Sequence, residues 1–348
     1  CSSDLLSTGY HRHMARVGIR EVAALAEVSN GTVSHYLNHP DRVSPEKRER
    51  IKTAIDQLGF VRNNAAWQLR LGRSGTIAYI APDVSNPFFS TIAEGVEQRA
   101  ATHNLAVFIS NSNRSRARED AYLDMFEAQQ VQGMLVASHE PIEDRLTQIR
   151  ARGIPSVLVG QRALTDAQPS VSVDDVAGGY LAMKHLIELG RKRVAFVGGP
   201  LGIRQVADRL EGAAAAVREA GDVTLEVLNV SNRTITDGRE VARALVARPT
   251  ASRPDAIFAV NDLLALGLLQ VLVASGTRVP EDVALVGYDD IEYGESSIIP
   301  LTSVRAPHEG FGFAAVDLLV SQMADKPAEG PRQLVFQPEL VVRASTRG

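Results

Sequence analysis

Ile19-Arg-Glu-Val-Ala-Ala-Leu-Ala-Glu-Val-Ser-Asn-Gly-Thr-Val-Ser-His-Tyr-Leu-Asn38 holds two short helices and the turn between them. Ile19, Val22, Ala23 and Ala26 recur at helical spacing and make one apolar face. Glu27-Val28 leaves only a tight connection, and Ser29 then stands where an N-cap belongs, its hydroxyl set to accept from an amide of the next turn. The second helix runs to about Asn38, with Val33, Tyr36 and Leu37 inward and Asn30, Gly31, Thr32, Ser34 and His35 mostly outward. Ser44-Pro45 opens a third helix, Ser as cap and Pro at the first helical position; Ile51, Ala54, Ile55 and Leu58 form its stripe and Gly59 ends it.

Three short helices with a four-residue turn between the first two match a helix-turn-helix unit. In such a unit the second helix lies in the major groove with its N-terminal side chains toward base edges. Short polar residues at its start suit that task, because long ones hold the backbone away from the phosphates. A plain three-helix bundle with a solvated face has the same pattern, so spacing alone leaves both readings open.

Charge points the same way. The 348 residues carry a net charge of −4, but residues 14–73 hold ten Lys/Arg against six Asp/Glu, +4. Residues 74–348 hold 26 basic against 34 acidic residues, −8. A basic block on an acidic body implies that only the block meets a polyanion. A composition 45% hydrophobic and 22% charged excludes global disorder, and the length fits two or three domains. No apolar run approaches the ~18 residues of a membrane span. With one cysteine, Cys1, there is no internal disulfide and no thiolate metal site, and a cytoplasmic chain is expected. Residues 1–13 lack periodicity and a signal-peptide core, and are read as a disordered extension before Met14.

From Thr76 short apolar runs alternate with helical stretches. The strand candidates are Ile77–Ala81, Ala106–Ser110, Gly133–Ala137, Ser156–Val159, Val194–Val197, Ala256–Val260 and Ala284–Gly287. Helices are expected near 88–103, 118–129, 142–152, 176–189, 206–220, 237–247, 262–275 and 310–324. That alternation indicates doubly wound parallel sheets covered on both faces. Ligands of such sheets sit outside the carboxyl ends of the strands. Asp83–Phe89, Ser138-His139, Gln161-Arg162, Gly199–Arg209, Asn261-Asp262 and Tyr288–Asp290 occupy those positions. An aromatic face with Asp, Asn and Arg suits a sugar, whose C–H face packs on phenyl while paired polar groups bond adjacent hydroxyls. Taken singly, an Asp after a strand is as easily a turn or a helix cap.

The quoted segment, continued by Val43-Ser-Pro-Glu-Lys-Arg-Glu-Arg-Ile51 and Leu58-Gly-Phe60, resembles the headpiece of the LacI/GalR transcription regulators. The resemblance runs on through Asn86-Pro-Phe-Phe-Ser, Asp208-Arg-Leu-Glu-Gly212, Val260-Asn-Asp-Leu-Leu-Ala-Leu-Gly267 and Val286-Gly-Tyr-Asp289 to Val342-Arg-Ala-Ser345. It implies a helix-turn-helix headpiece over 14–61, a hinge helix over 62–74, and a periplasmic-binding-protein-like (type I) effector domain over 75–348. The effector domain would have an N-lobe of about 75–161 and 306–335 and a C-lobe of about 162–292 and 336–348. The chain would cross between lobes near 161, 291–306 and 333–337.

By the same resemblance Asn30, Gly31 and His35 read bases, while Ser29, Thr32, Ser34 and Asn38 bond phosphates. His35 departs from the more familiar arginine and offers guanine one donor instead of two. Two hinge helices pair in the minor groove of a pseudo-palindromic double-stranded DNA operator. Leu69 wedges into the central base step and Ala66 sits where the helices touch; a plain linker whose leucine packs on the body is the other reading of this stretch. Phe88 stacks on effector, Phe89 lines the pocket, Arg209 and Asp289 hold hydroxyls, and Gln205 lies nearby, with Ser138, Gln161, Arg233 and Asn261 as further candidates. The implied partners are operator DNA, a small-molecule effector of the sugar class and a second copy of the chain.

No Gly-x-Ser-x-Gly, His-Glu-x-x-His or Walker loop is present, so no enzyme, cofactor or metal is expected. The rival class is an extracytoplasmic solute-binding lipoprotein anchored through Cys1, which predicts no DNA binding. Leu69→Ala is expected to weaken operator affinity with little change in effector affinity. DNA bending and operator titration check this, and unaltered values refute the wedge.

Overall fold

The computed structural model describes residues 17–60, 74–323, 330 and 332–347, which fall into two compact units. The hinge positions Ala66 and Leu69, and residues 1–13, lie outside the described residues.

The smaller unit holds α1 (Ile19–Leu25), α2 (Asn30–Asn38), a 3-10 turn at Pro40–Arg42 and α3 (Pro45–Leu58). Val22, Ala23, Ala26, Val33, Ile51 and Ala54 form its buried core, with Tyr36 and Leu37 packed against it. Ile19, the first residue of α1, is 37% exposed instead of buried. Between α1 and α2 the chain reverses at Glu27 (φ +50), and Arg50 of α3 pins that turn by donating to the Glu27 carbonyl at 3.0 Å and its carboxylate at 3.1 Å. Ser29 caps α2 by accepting from the Thr32 amide at 3.1 Å. Ser44 holds the N-cap position of α3 without a side-chain cap bond, and Pro45 takes the first helical position, where the helix needs no amide. Gly59 ends α3 at φ +59, as its lack of a Cβ allows.

The larger unit has two lobes. The first holds β1 (Thr76–Ala81), α4 (Pro87–Thr102), β2 (Ala106–Asn111), α5 (Arg116–Ala128), β3 (Met134–Val136), α6 (Glu143–Ala151), β4 (Ser156–Val159) and β5 (Ser170–Val173). The second follows with α7 (Asp175–Glu188), β6 (Arg193–Gly198), α8 (Arg204–Ala220), β7 (Thr224–Asn229), α9 (Ile235–Val246), β8 (Ala256–Ala259), α10 (Asp262–Ala274), β9 (Ala284–Tyr288), α11 (Glu292–Glu295) and β10 (Thr302–Arg305). The chain then returns to the first lobe for α12 (His308–Met323) and β11 (Gln333–Phe336), and ends on β12 (Glu339–Val341) in the second.

Strand order is β2-β1-β3-β4-β5-β11 in one sheet and β7-β6-β8-β9-β10-β12 in the other, so both lobes are wound the same way. Neighbours are parallel except β12, which runs antiparallel to β10. Each sheet reverses its winding at its first strand, between β1 and β3 and between β6 and β8, and each reversal opens a crevice at the carboxyl ends. The lobe boundary differs from the sequence expectation. The first crossing is at Asp174, not near 161, because β5 completes the first sheet; the others lie at 306–307 and 337–338. Five strands were not foreseen. Ser170–Val173 and Thr302–Arg305 are largely buried yet carry polar residues at Ser170, Ser172, Thr302 and Ser303, and Thr224–Asn229, Gln333–Phe336 and Glu339–Val341 are half-exposed outer strands whose apolar runs are at most three residues long.

The second lobe's core is centred on Phe196 and Phe258, partners across β6–β8 whose rings meet edge-to-face at 5.3 Å. Burying each contributes about 2–3 kcal/mol. Helices α7 and α8 lie backbone to backbone: a Cβ on Gly179 would stand 2.0 Å from the Arg209 carbonyl, and one on Gly212 would stand 1.9 Å from that of Val176. Gly212→Ala gains about 1 kcal/mol of helix propensity, yet is expected to destabilise by a net ~1–3 kcal/mol because it forces these helices apart. Denaturant unfolding checks the sign, and a stabilised variant would mean the close approach is not there.

Candidate functional site

Two surfaces carry candidate chemistry. On the small unit, Asn30, Gly31 and His35 are exposed, while Thr32, Ser34 and Asn38 are half-buried along α2. The Ser29 and Thr32 hydroxyls lie 2.9 Å apart, and the His35 ring sits 5.5 Å from that of His39. A Cβ on Gly31 meets only the Ser29 hydroxyl, at 3.6 Å, so the bare position reflects no crowding within the fold.

On the large unit a cleft between the two lobes holds about 830 Å³ of empty space, counted to its open mouth. Every wall comes from a strand end. After β1, Asn86 caps α4 by accepting from the Phe88 amide at 3.1 Å, which fixes Phe88 and Phe89 in the first turn with rings edge-to-face at 5.0 Å. After β3 come Ser138 and His139, the latter 6.0 Å from the Phe89 ring. Opposite, α8 supplies Gln205 and Arg209, the residue before α10 is Asn261, and β9 ends in Tyr288 and Asp289.

Arg209 is the most constrained group in this cleft. Its Nε donates to Asp175 at 2.7 Å, its Nη1 donates to the Val260 carbonyl at 2.5 Å, its Nη2 stands 3.6 Å from Asp289, and the guanidinium lies 3.5 Å over the Tyr288 ring. Both Asp175 and Asp289 are buried, and burial raises each carboxyl, Asp289 to about 7, against the pull of Arg209. Asp289 takes φ +95 while its amide donates to the Val304 carbonyl at 2.9 Å. Asp tolerates this left-handed conformation better than most residues. The result is a cation and an acceptor side by side on a wall facing two phenyl rings, a pattern that matches hydroxyls on adjacent carbons.

Among the described residues, three side-chain hydrogen bonds cross between the lobes. Gln205 Nε2 donates to the Gly160 carbonyl at 3.0 Å, Arg204 donates to the Arg162 carbonyl at 3.0 Å, and Arg233 donates to His139 Nδ1 at 3.2 Å. Burial, with Arg233, Arg114 and Arg209 nearby, pushes His139 down to about 3, so it is neutral and carries its proton on Nε2. Arg233 is itself pushed down to about 10 by burial and by Arg209.

Eight of the nine sequence candidates for this pocket line it: Phe88, Phe89, Ser138, Gln205, Arg209, Arg233, Asn261 and Asp289. Gln161 does not. Gly160 faces the interlobe cleft, whereas Gln161 and Arg162 line a second, outer chamber. The Ser138 hydroxyl is engaged internally, donating to the buried Glu119 at 3.1 Å and accepting from the Glu140 amide at 3.0 Å. Arg114 and Asp175 were missed. Arg114 follows β2, the one recognised strand whose end was not inspected, and lies 3.7 Å from Asp83. Asp175 follows β5, which sequence patterning did not reveal. Among the described residues no group of three His, Cys, Asp or Glu is placed to hold a metal. Nor is any helix among them long and apolar enough to cross a membrane.

Fold and site define a class: a helix-turn-helix unit on a chain whose body is a two-lobed binder of the periplasmic-binding-protein type. The comparisons agree. Residues 18–63 match the bacterial regulatory proteins of the lacI family, and residues 183–346 match the periplasmic binding protein-like domain. The HTH-type transcriptional regulator CelR of Thermobifida fusca is 36% identical over 340 residues, covering 95% of this chain and 98% of CelR. A solved CelR–cellobiose complex superposes with a TM-score of 0.68 at 34% identity, covering 95% of this chain and all of that one. The lac repressor dimer bound to operator and the anti-inducer ONPF gives 0.82 at 26% identity over 95% of this chain and 99% of its own. A LacI family regulator from Enterococcus faecium with bound ribose gives 0.69 at 27% identity over 78% and 98%. The chain belongs to the LacI family of DNA-binding transcriptional regulators.

Glu119 yields a pH test. Burial raises its carboxyl to about 7 from the ordinary 4.5, against the Ser138 hydrogen bond. The folded state therefore keeps a proton that the unfolded chain releases, and stability falls as pH rises through this window. Glu119→Gln keeps the acceptor for Ser138 and removes the titration. It is expected to match the parent near pH 4.5 and exceed it by about 1–3 kcal/mol above pH 7.5. Melting temperatures measured at both pH values check it; a constant difference refutes the assignment.

Proposed function

We propose that this chain is a repressor that acts as a homodimer in the cytoplasm on a pseudo-palindromic operator, and that a sugar in the interlobe cleft controls its operator affinity. The observation that carries the reading is the pairing of Arg209 and Asp289 opposite Phe88 and Phe89 across the two lobes. Phenyl faces take the C–H side of a sugar ring, and the adjacent donor and acceptor take its hydroxyls. Two relatives with bound sugars, cellobiose and ribose, support the same class. The operator-bound lac repressor dimer supports DNA as the target and two copies as the binding unit.

In this reading Asn30, Gly31 and His35 face base edges, and Ser29, Thr32, Ser34 and Asn38 position the helix on phosphates. Ala66 and Leu69 belong to hinge helices that pair only on DNA, since a helix of about two turns is marginal alone. A ligand that prefers one lobe arrangement shifts the population toward it, and only that differential affinity changes DNA binding. The lobes are joined by three crossings, at 174, 306–307 and 337–338, which are the places such a rotation has to bend.

The test is a thermal-shift screen of monosaccharides, neutral disaccharides and nucleobases, followed by operator titration with the best ligand. Ligand at 100 times its Kd adds about 2.7 kcal/mol. Asp289→Ala is expected to abolish both the shift and the response of operator affinity, with DNA binding of the unliganded protein retained. A normal dose response in that variant, or a screen in which only nucleobases bind, overturns the sugar reading.

A further inference from the structure

One cation in the cleft has no anion of its own. Arg233 reaches the cleft from the loop between β7 and α9. Its Nη1 donates to the Gly199 carbonyl at 2.9 Å and its Nη2 to His139 Nδ1 at 3.2 Å. Both acceptors are neutral, since His139 is pushed down to about 3 by burial and by the arginines around it. Among the described residues the nearby carboxylates are paired elsewhere: Asp83 with Arg114, and Asp175 and Asp289 with Arg209.

We infer that the effector carries a carboxylate and that Arg233 is the residue that reads it. The ligand is a polyhydroxy acid of the sugar class, an aldonate or a uronate, whose carboxylate lies on Arg233 and the His139 Nε2–H while its hydroxyls meet Arg209, Asp289 and Gln205. The inference rests on the sugar reading above and deepens it by assigning the charge of the ligand.

Three features argue for it. First, a desolvated guanidinium calls for a charged partner, and a carbonyl and an imidazole do not discharge it. Burial, Arg209 and Arg114 all act against the charge of Arg233, and Asp289 and Asp83 offset them only in part. Two of the five N–H donors of the group are used, so the rest remain for the paired oxygens of a carboxylate. Second, the balance of charge suits one negative charge and not two. Three arginines line the cleft against Asp83 and Asp289, with Asp175 holding Arg209 from outside that lining. Asp289, raised by burial to about 7, has only to take up a proton for the cleft to hold one cation more than it has anions. A phosphate dianion brings a second charge that this set of side chains does not match. Third, the site asks for hydroxyls as well as for an acid. Gln205 Oε1 is buried without a hydrogen-bond partner and requires a donor, which a bare carboxylate lacks. Because Arg233 and His139 come from opposite lobes, a carboxylate on this pair also ties the lobes together.

The experiment is calorimetric titration of the full chain with gluconate, glucuronate and galacturonate, with glucose and galactose as their neutral counterparts, and with glucose 6-phosphate. At least one of the acids is expected to bind about thirtyfold or more tightly than its neutral counterpart, as a hydrogen-bonded charge pair supplies, and to weaken as sodium chloride is raised. Arg233→Gln is expected to remove that preference, whereas Arg233→Lys, which keeps the charge, retains much of it; melting temperatures of both variants without ligand show that they are folded. If a neutral sugar binds as tightly as its acid, or if Arg233→Gln keeps the full preference, the carboxylate assignment is wrong and the sugar reading stands. Glucose 6-phosphate binding more tightly than every acid overturns the single-charge argument. If neither the acids nor the neutral sugars bind, this inference and the sugar reading fall together.

Discussion

A guanidinium kept out of water beneath two lobes is the constraint from which the rest of the body follows. Arg209 cannot remain buried unless it is paired, and its partners come from three separated stretches: Asp175 at the start of α7, the Val260 carbonyl at the end of β8, and Asp289 at the end of β9. Only the close approach of α7 and α8, made possible by Gly179 and Gly212, brings Asp175 within 2.7 Å. Removing one partner of such a group leaves an uncompensated charge, which costs more than the pair contributes. Pre-organisation for ligand and stability of the second lobe are thus the same set of contacts.

The strand ends that build the cleft are themselves tied to the crossings between lobes. Asp262, buried at the head of α10, accepts from Ser303 of β10 at 2.7 Å and from the Ile291 amide at 2.8 Å. Burial holds its carboxyl well above the usual carboxylate range. Asp290, the residue after the cleft's Asp289, joins Arg305 at 2.6 Å and Arg343 at 2.5 Å. Arg305 is the last residue of β10 before the second crossing, and Arg343 follows the strand after the third. A shift of Asp289 toward a ligand is therefore passed to its chain neighbour, whose carboxylate clamps both connections.

How much of this was legible in the chain depends on the kind of signal each residue carries. The buried strands β1, β3, β4, β6, β8 and β9 read as apolar runs, and Gly59 and Ser29 read as punctuation, because local chemistry dictates both. Ser170-Val-Ser-Val173 gave no such run. It is buried by the neighbours β4 and β11, and Ser170 satisfies itself by accepting from the Ala163 amide at 3.1 Å. Missing that strand moved the first lobe crossing about a dozen residues too early and hid Asp175. Gln161 was placed in the pocket by its position after β4, but position after a strand does not say which way the side chain turns.

The sequence by itself determined the two-part organisation, the helix-turn-helix, the doubly wound class of the body and most of the residues at the strand ends. Periodicity, caps and glycines act over a few residues and leave their mark in order along the chain. Only the tertiary structure decided which of those residues meet, that the two lobes share one winding, and that the cleft is divided into an inner and an outer chamber. Those facts depend on contacts between segments tens of residues apart, such as Gln205 with Gly160 or Arg209 with Asp175. Pairing at that range is set by packing, and packing leaves no periodic trace in the amino-acid order.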